Sequence, residues 1–83
     1  MHETMVAESL LTTISAESIK QNAKPVSVKI SCGTLNAIND EILCFAFEAI
    51  AKGTPCEGMR LEIEHKAKPD APLLLEEIEF EAD

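Results

Sequence analysis

Hydrophobic and polar positions along the chain recur with two different periods, and these periods predict its secondary structure. Over residues 4–22 apolar side chains return every three or four positions, which is the spacing of one face of an α-helix. Residues 26–32 instead alternate between apolar and polar, which is typical of a β-strand with one buried face. The chain therefore begins with an amphipathic helix that is followed by a strand.

A second helix is predicted after the turn at Gly33. Asn39 or Asp40 is placed to cap it, and its body runs to residue 52 before Gly53 ends it. Apolar residues cover most of its circumference, so we expect it to be buried against both the sheet and the first helix. Two of the three phenylalanines of the chain, at positions 45 and 47, are expected in this helical core.

Two further strands complete the pattern. Residues 59–66 alternate between apolar and charged positions, with His65 on the apolar parity. In residues 73–81 three leucines lead into an acidic segment, in which Ile78 and Phe80 are expected to face inward and Glu77, Glu79 and Glu81 outward. The segment 66–72 between them contains Pro69 and Pro72 and is a loop by composition. We predict an α+β fold of order αβαββ, with two helices packed on one face of a small three-stranded sheet and the last two strands paired as a hairpin.

The net charge of the chain excludes some classes of binding partner. Its 83 residues carry 15 acidic and 7 basic side chains, a formal net charge of −8. Such a field repels nucleic acid and anionic membranes, and it suits a cation or a basic protein. No run of apolar residues is long enough to span a membrane and no leader segment is recognisable, so we expect a single domain in the cytoplasm.

The cysteines and the second histidine favour structural roles. Cys32, Cys44 and Cys56 are odd in number and form no CxxC pair, which argues against a disulfide framework and against a structural zinc site. We expect three buried, inert thiols, with Cys32 the least certain member because it precedes a glycine turn. His65 lies on the apolar parity at the end of its strand, where a partly exposed edge histidine is the usual occupant.

Enzymatic activity is the least favoured class of function. The chain has only two histidines, far apart in sequence, and it shows no nucleophile and base constellation and no phosphate-binding loop. We therefore expect that this protein is not an enzyme.

The first three residues, Met1-His2-Glu3, carry the most specific candidate chemistry. If no residue precedes Met1, its α-amine, the backbone nitrogens of His2 and Glu3 and the His2 imidazole can converge on one ion. Nitrogen donors in a plane are the set that Ni(II) or Cu(II) prefers. Histidine at position 2 also occurs by chance in terminal segments without function, so this tripeptide alone leaves both interpretations open.

The rest of the chain resembles the hydrogenase nickel-incorporation proteins called HypA or HybF. The matching features are Met1-His2-Glu3 at the start, the segment 30–35 with sequence ISCGTL, the segment 45–55 with sequence FAFEAIAKGTP, and the acidic segments 61–64 and 74–79. The central segment through Gly53 is the most specific of these. The resemblance covers nearly the whole chain.

The resemblance implies a nickel metallochaperone. It implies that Met1, His2 and Glu3 bind Ni(II), and that an acidic residue near the start of the second helix, Asp40 or the position of Asn39, belongs to the site. The implied recipients are the large subunit of [NiFe] hydrogenase and sometimes urease, reached with the help of a GTPase. A monomer or weak dimer is expected.

The chain departs from this family in one place. The family carries a zinc module with two CxxC pairs between its second and third strands, whereas this chain has only the loop 66–72 there. We therefore expect no zinc, and an intact nickel site in a single domain over 1–83. The alternative is a metal-free protein-interaction domain built on the same scaffold.

Overall fold

The structure is a computed structural model that describes residues 2–36 and 38–81. Its elements are helix α1 (Glu3–Gln21), strand β1 (Pro25–Gly33), a 3-10 turn (Thr34–Asn36), helix α2 (Asp40–Ala51), strand β2 (Arg60–Lys66) and strand β3 (Leu74–Phe80). The predicted α+β class and the order αβαββ are confirmed. No helix within the described ranges is long and apolar enough to cross a membrane.

Helix α1 begins directly after His2, whose extended backbone makes it the N-cap residue. The first turn is closed by the N–H of Val6, which donates to the carbonyl of His2 at 3.1 Å. Asn22 ends the helix in the left-handed conformation, with φ of 50°, a region that asparagine tolerates better than most residues. The helix buries one face, formed by Val6, Ala7, Leu10, Ile14 and Ser18.

Helix α2 buries a narrower face than its composition predicts. Its buried residues Leu43, Phe47 and Ala51 are spaced four apart and lie on one side of the helix. Phe45, expected in the core, is 77% exposed. Because two residues turn an α-helix by about 200°, Phe45 and Phe47 point in nearly opposite directions and only one can face the sheet. The prediction of a core position is therefore confirmed for Phe47 and wrong for Phe45.

Strand β1 lies at the centre of the sheet, whose order is β2-β1-β3. It pairs in parallel with β2 and antiparallel with β3. The predicted hairpin of the last two strands is therefore wrong. Lys29 explains part of this order, because it lies opposite Glu62 on one side and Glu77 on the other. Direct pairing of the two glutamate-rich strands would have placed like charges opposite each other, which destabilises a sheet.

The core lies between the two helices and one face of the sheet. Strand β1 contributes the fully buried side chains of Val28, Ile30 and Cys32. They pack with the buried faces of α1 and α2 and with Ile38 and Cys56. On the opposite face of β1 the exposed Lys29 pairs with Glu64 at 3.6 Å, and Ser31 donates to Glu76 at 2.5 Å. That outer face is acidic, as the strand patterns predict, and its side chains also form hydrogen bonds and ion pairs.

The loop 66–72 crosses the end of β1. Gly33 donates its N–H to the carbonyl of Ala71, and Leu35 donates to that of Pro69, both at 3.0 Å. A Cβ atom at Gly33 would lie 2.3 Å from the carbonyl oxygen of Lys68. Glycine is therefore required here by the close approach of two backbone segments.

Candidate metal centre

His2 and Glu3 lie at the positive end of α1, where backbone N–H groups lack helical partners. The first four N–H groups of any α-helix have no intrahelical acceptor, and the nitrogens of His2 and Glu3 both precede the Val6 bond that closes the first turn. The His2 side chain is exposed and makes no capping hydrogen bond. Met1, the remaining residue of the predicted chelate, lies outside the described residues.

The side chain of Glu3 reaches across to helix α2. Its Oε2 atom accepts a hydrogen bond from the backbone N–H of Asn39 at 2.8 Å. This bond lowers the pKa of the Glu3 carboxyl below its usual value, because it stabilises the charged form. Asn39 is also the N-cap of α2, where its Oδ1 accepts from the N–H of Ile42 at 2.9 Å. The beginnings of the two helices are therefore joined through Glu3 and Asn39.

Asp40, the acidic residue implied at the start of the second helix, lies next to this junction. Its Oδ1 atom is 2.7 Å from Nε2 of His65 at the end of β2. The other ring nitrogen of His65, Nδ1, is 3.6 Å from Sγ of Cys32. His65 is exposed, as predicted for an edge histidine, whereas Cys32 is fully buried. A Cys32, His65 and Asp40 chain thus connects the ends of β1 and β2 with the start of α2.

Sequence analysis did not find this chain of contacts. Cys32 and His65 are register partners only because β1 and β2 run in parallel, and the predicted hairpin placed β2 elsewhere. A signal was available in the glutamates of the last two strands, which disfavour direct pairing and favour a central β1.

The predicted ligands are only partly brought together. Glu3 meets Asn39, the residue before Asp40, but one Asp40 oxygen is engaged by His65. Within residues 2–36 and 38–81, no group of three or more histidine, cysteine, aspartate and glutamate side chains is arranged to hold a metal ion. The backbone nitrogens at the start of α1 are further possible donors at this end.

The three cysteines are all free thiols. Cys32 and Cys56 are fully buried, as predicted, and Sγ of Cys56 lies 3.7 Å from the hydroxyl of Ser15. The prediction of a buried thiol is wrong for Cys44, which is only half-buried. Partial burial still raises the pKa of its thiol.

Comparison with known proteins identifies the family to which this chain belongs. Residues 1–69 match the family model for "Hydrogenase/urease nickel incorporation, metallochaperone, hypA". The hydrogenase maturation factor HypA of Methanopyrus kandleri is 43% identical over 65 residues, a match that covers 77% of this chain and 46% of the relative. HypA of Methanocaldococcus jannaschii is 39% identical over 70 residues, covering 77% of this chain and 56% of the relative.

The chain spans about half the length of these two relatives. Among solved structures, the solution structure of the Ni metallochaperone HypA from Helicobacter pylori superposes with a TM-score of 0.69 at 17% identity, over 99% of this chain and 95% of that one. This likeness shows a shared fold. Because the family model matches most of the residues of this chain, the chain belongs to the hydrogenase/urease nickel-incorporation family HypA.

Proposed function

We propose that this protein is a nickel metallochaperone that binds Ni(II) through Met1, His2 and Glu3 and delivers it to a maturing [NiFe] hydrogenase or urease. Two findings support the proposal: membership of the HypA family, and the position of His2 and Glu3 at the start of α1. The donors are the Met1 amine, the two following backbone nitrogens and the His2 imidazole.

The position of the helix start is the observation that carries this proposal. A chelate of this kind requires the backbone nitrogens of His2 and Glu3 to lose their protons to solvent. In the middle of a helix each such loss would break a hydrogen bond, but these two nitrogens precede the first helical bond, which Val6 makes to His2. The ion therefore binds without unwinding α1.

Electrostatic interactions at this end favour a complex that can both bind Ni(II) and release it. The positive end of a helix dipole opposes a bare cation, but two deprotonated amides neutralise the charge of Ni(II). Because binding releases protons, acidification weakens it and returns the ion. An exposed imidazole such as that of His2 leaves an open path for a recipient to take the metal. A carrier requires this combination of binding and reversibility.

Asp40 is the fourth residue of the proposed site. Its Oδ1 is bonded to His65, and it follows Asn39, to which Glu3 is bonded. We assign it an outer role, in which its charge attracts the cation to this end of the molecule and its contact with His65 keeps the start of α2 in place. Asp40→Asn should therefore weaken nickel binding without abolishing it.

The loop 66–72 is proposed to take the place of the family's zinc module. It is held against the end of β1 by the backbone bonds from Gly33 and Leu35, and none of its seven positions is a cysteine or a histidine. We therefore propose that nickel loading needs no structural zinc. Metal analysis of protein purified without added metal tests this, and stoichiometric zinc would contradict it.

The proposed partners are a nickel-handling GTPase and the hydrogenase large subunit. The exposed Phe45 and Ile42 on α2 offer them an apolar contact surface, and the net charge of −8 favours a basic counterpart. The same surface supports the alternative function, a protein-interaction domain that uses no metal. The two functions differ in whether a partner binds equally well with and without nickel.

Nickel titration of protein with an authentic, unblocked Met1 tests the site. We expect the tightest nickel ion to bind at one per chain by calorimetry near neutral pH, and this step to disappear in His2→Ala. His65→Ala is the matched control, because it removes the other histidine and should retain the step. A Gly-Ser extension before Met1 should abolish this binding step, because the α-amine would then no longer lie next to the other donors. Unchanged binding in His2→Ala would refute the assignment.

A further inference from the structure

Cys32, His65 and Asp40 form a chain of contacts in which Cys32 and His65 are not part of the proposed terminal nickel site. Sγ of Cys32 lies 3.6 Å from Nδ1 of His65, and Nε2 of His65 lies 2.7 Å from Oδ1 of Asp40. We propose that Cys32 and His65 form a second metal-binding site, for a borderline divalent ion such as Co(II), Ni(II) or Zn(II), and that Asp40 orients the imidazole. This proposal does not depend on the terminal chelate.

The contact with Asp40 fixes which ring nitrogen of His65 is available to a metal. An ionised carboxylate can only accept hydrogen bonds, so Nε2 must carry the proton that lies between it and Oδ1. In the neutral ring Nδ1 then has a free lone pair, and Nδ1 lies 3.6 Å from Sγ of Cys32. A carboxylate behind a metal-binding histidine is a common second partner, which holds the ring and raises its basicity.

The separation of the two donor atoms matches the bite of a single ion. An ion bonded to thiolate at about 2.3 Å and to imidazole at about 2.0–2.1 Å, with a tetrahedral angle between them, places sulfur and nitrogen about 3.5–3.6 Å apart. The observed 3.6 Å already matches this separation, so binding requires only that the imidazole tilt until its Nδ1 lone pair points at the ion instead of at sulfur. A linear two-coordinate ion would need a separation of about 4.4 Å with the same bond lengths, so the geometry favours a tetrahedral one.

The backbone holds both donors in place. Cys32 and His65 are register partners in the parallel pair of β1 and β2, so their separation is set by the ladder and not by a loop. Cys32 is fully buried, whereas the His65 side chain is 42% exposed. An ion therefore approaches along the edge of the imidazole, and water completes its coordination on the exposed side.

Binding replaces a weak hydrogen bond by two metal bonds. In the metal-free protein the Cys32 thiol faces the Nδ1 lone pair and can donate its proton to it. The incoming ion takes the sulfur and nitrogen lone pairs, and the thiol proton passes to solvent, so one proton is released for each ion bound. No oxidation or reduction takes place.

Cobalt titration of a His2→Ala variant tests this site without the terminal chelate. Thiolate coordination gives a sulfur-to-cobalt charge-transfer band in the near ultraviolet, and this chain has no tryptophan or tyrosine to obscure it. Under reducing, oxygen-free conditions near neutral pH, we expect the band to saturate at one cobalt per chain. It should disappear when His65→Gln or Cys32→Ala is added.

Cys44→Ala is the matched control, because Cys44 is the most accessible thiol and its loss should leave the band unchanged. His65 is exposed, so His65→Gln tests the site even if Cys32→Ala does not fold. The proposal is overturned if no band forms, if the band survives both site variants, or if only Cys44→Ala removes it. Nickel binding at the terminus is measured separately in His65→Gln protein with His2 intact, so the two proposals can fail independently.

Discussion

The carboxylate of Glu3 accepts a hydrogen bond from the backbone N–H of Asn39 over 2.8 Å, and this bond joins the first residue of α1 to the N-cap of α2. It also separates two functions of one residue. The side chain of Glu3 is used to hold the helices together, whereas its backbone nitrogen remains available at the start of α1. A metal ion bound at the terminus would then use the nitrogen and leave the carboxylate where it is.

Glu3→Gln distinguishes these two functions. The amide can still accept from the Asn39 N–H, but without the charge that lowers the pKa of Glu3 and strengthens the bond. We expect a lower melting temperature and an unchanged nickel stoichiometry. Glu8→Gln, an exposed change further along the same helix, should affect neither quantity. Loss of nickel binding in Glu3→Gln would show that the carboxylate itself is a ligand.

Phe45 and Phe47 should differ sharply in their effects on stability. Phe47 is 2% exposed in the core, and its replacement by alanine leaves a cavity that costs about 3–5 kcal/mol. Small domains have only about 5–15 kcal/mol in total, so Phe47→Ala should be close to unfolding at 37 °C. Phe45→Ala removes an exposed ring and should change the free energy of unfolding by less than about 0.5 kcal/mol. Denaturant titration followed by circular dichroism measures both, and equal losses would contradict the burial described for α2.

The same pair of residues shows where sequence reasoning succeeds and where it fails. Period and capping residues locate α2 correctly, because both are local properties of the chain. Its orientation depends on which arc of an almost uniformly apolar helix meets the sheet, and that is decided by partners far away in sequence. Phe45 was therefore assigned to the core although it lies on the exposed side.

The prediction of strand pairing fails for a related reason. The short loop 66–72 made a hairpin of the last two strands the simplest connection, but Lys29 on β1 has a glutamate opposite it on both sides. Charge alternation across the sheet was thus more informative than proximity in sequence. The hypothesis of a terminal chelate can be formed from the sequence because it involves three consecutive residues, whereas the contact of Cys32 with His65 requires the parallel register.

Gly33→Ala should open the loop 66–72. An added Cβ would lie 2.3 Å from the Lys68 carbonyl oxygen and 2.8 Å from the Ala71 nitrogen, and both are backbone atoms that cannot turn aside. We expect the free energy of unfolding to fall by about 1–3 kcal/mol, as it does for overpacking in a core. Gly58→Ala is the comparison, since nothing lies within 4 Å of its added Cβ and only its φ of +83° is unfavourable.

Hydrogen exchange identifies the segment that moves in Gly33→Ala. The N–H of Leu35, which donates to the Pro69 carbonyl, should lose protection in this variant and keep it in Gly58→Ala. Retained protection of Leu35 in Gly33→Ala would mean that the loop accommodates the methyl group without leaving the end of β1.

Glu76 should make the stability of the protein depend on pH in the acid range. The buried Ser31 hydroxyl donates to its carboxylate at 2.5 Å. This bond, followed by the hydrogen bond and the charge of Lys66 at 3.4 Å, lowers the pKa of Glu76 below its usual value of 4.5. A carboxyl with a depressed pKa in the folded state stabilises the fold at every pH above its unfolded value. That stabilisation is lost as the pH falls from about 4.5 through the lower, folded pKa.

The expected signature of this bond is a pH-dependent difference between variants. The free energy of unfolding of the wild type should exceed that of Glu76→Gln above pH 4.5, the unshifted value, and the two should converge in acid. Ser31→Ala should raise the Glu76 pKa, followed by carboxyl NMR titration, because the Ser31 hydrogen bond is the largest single cause of the shift. Lys66→Met removes both a hydrogen bond and a charge and should raise this pKa as well. If Lys66→Met raised it more, the charge of the lysine and not the hydroxyl of the buried serine would govern this strand pair. The outer face of the sheet would then owe its acid sensitivity to an exposed ion pair that salt can screen, and raising the ionic strength would reproduce the effect of the substitution.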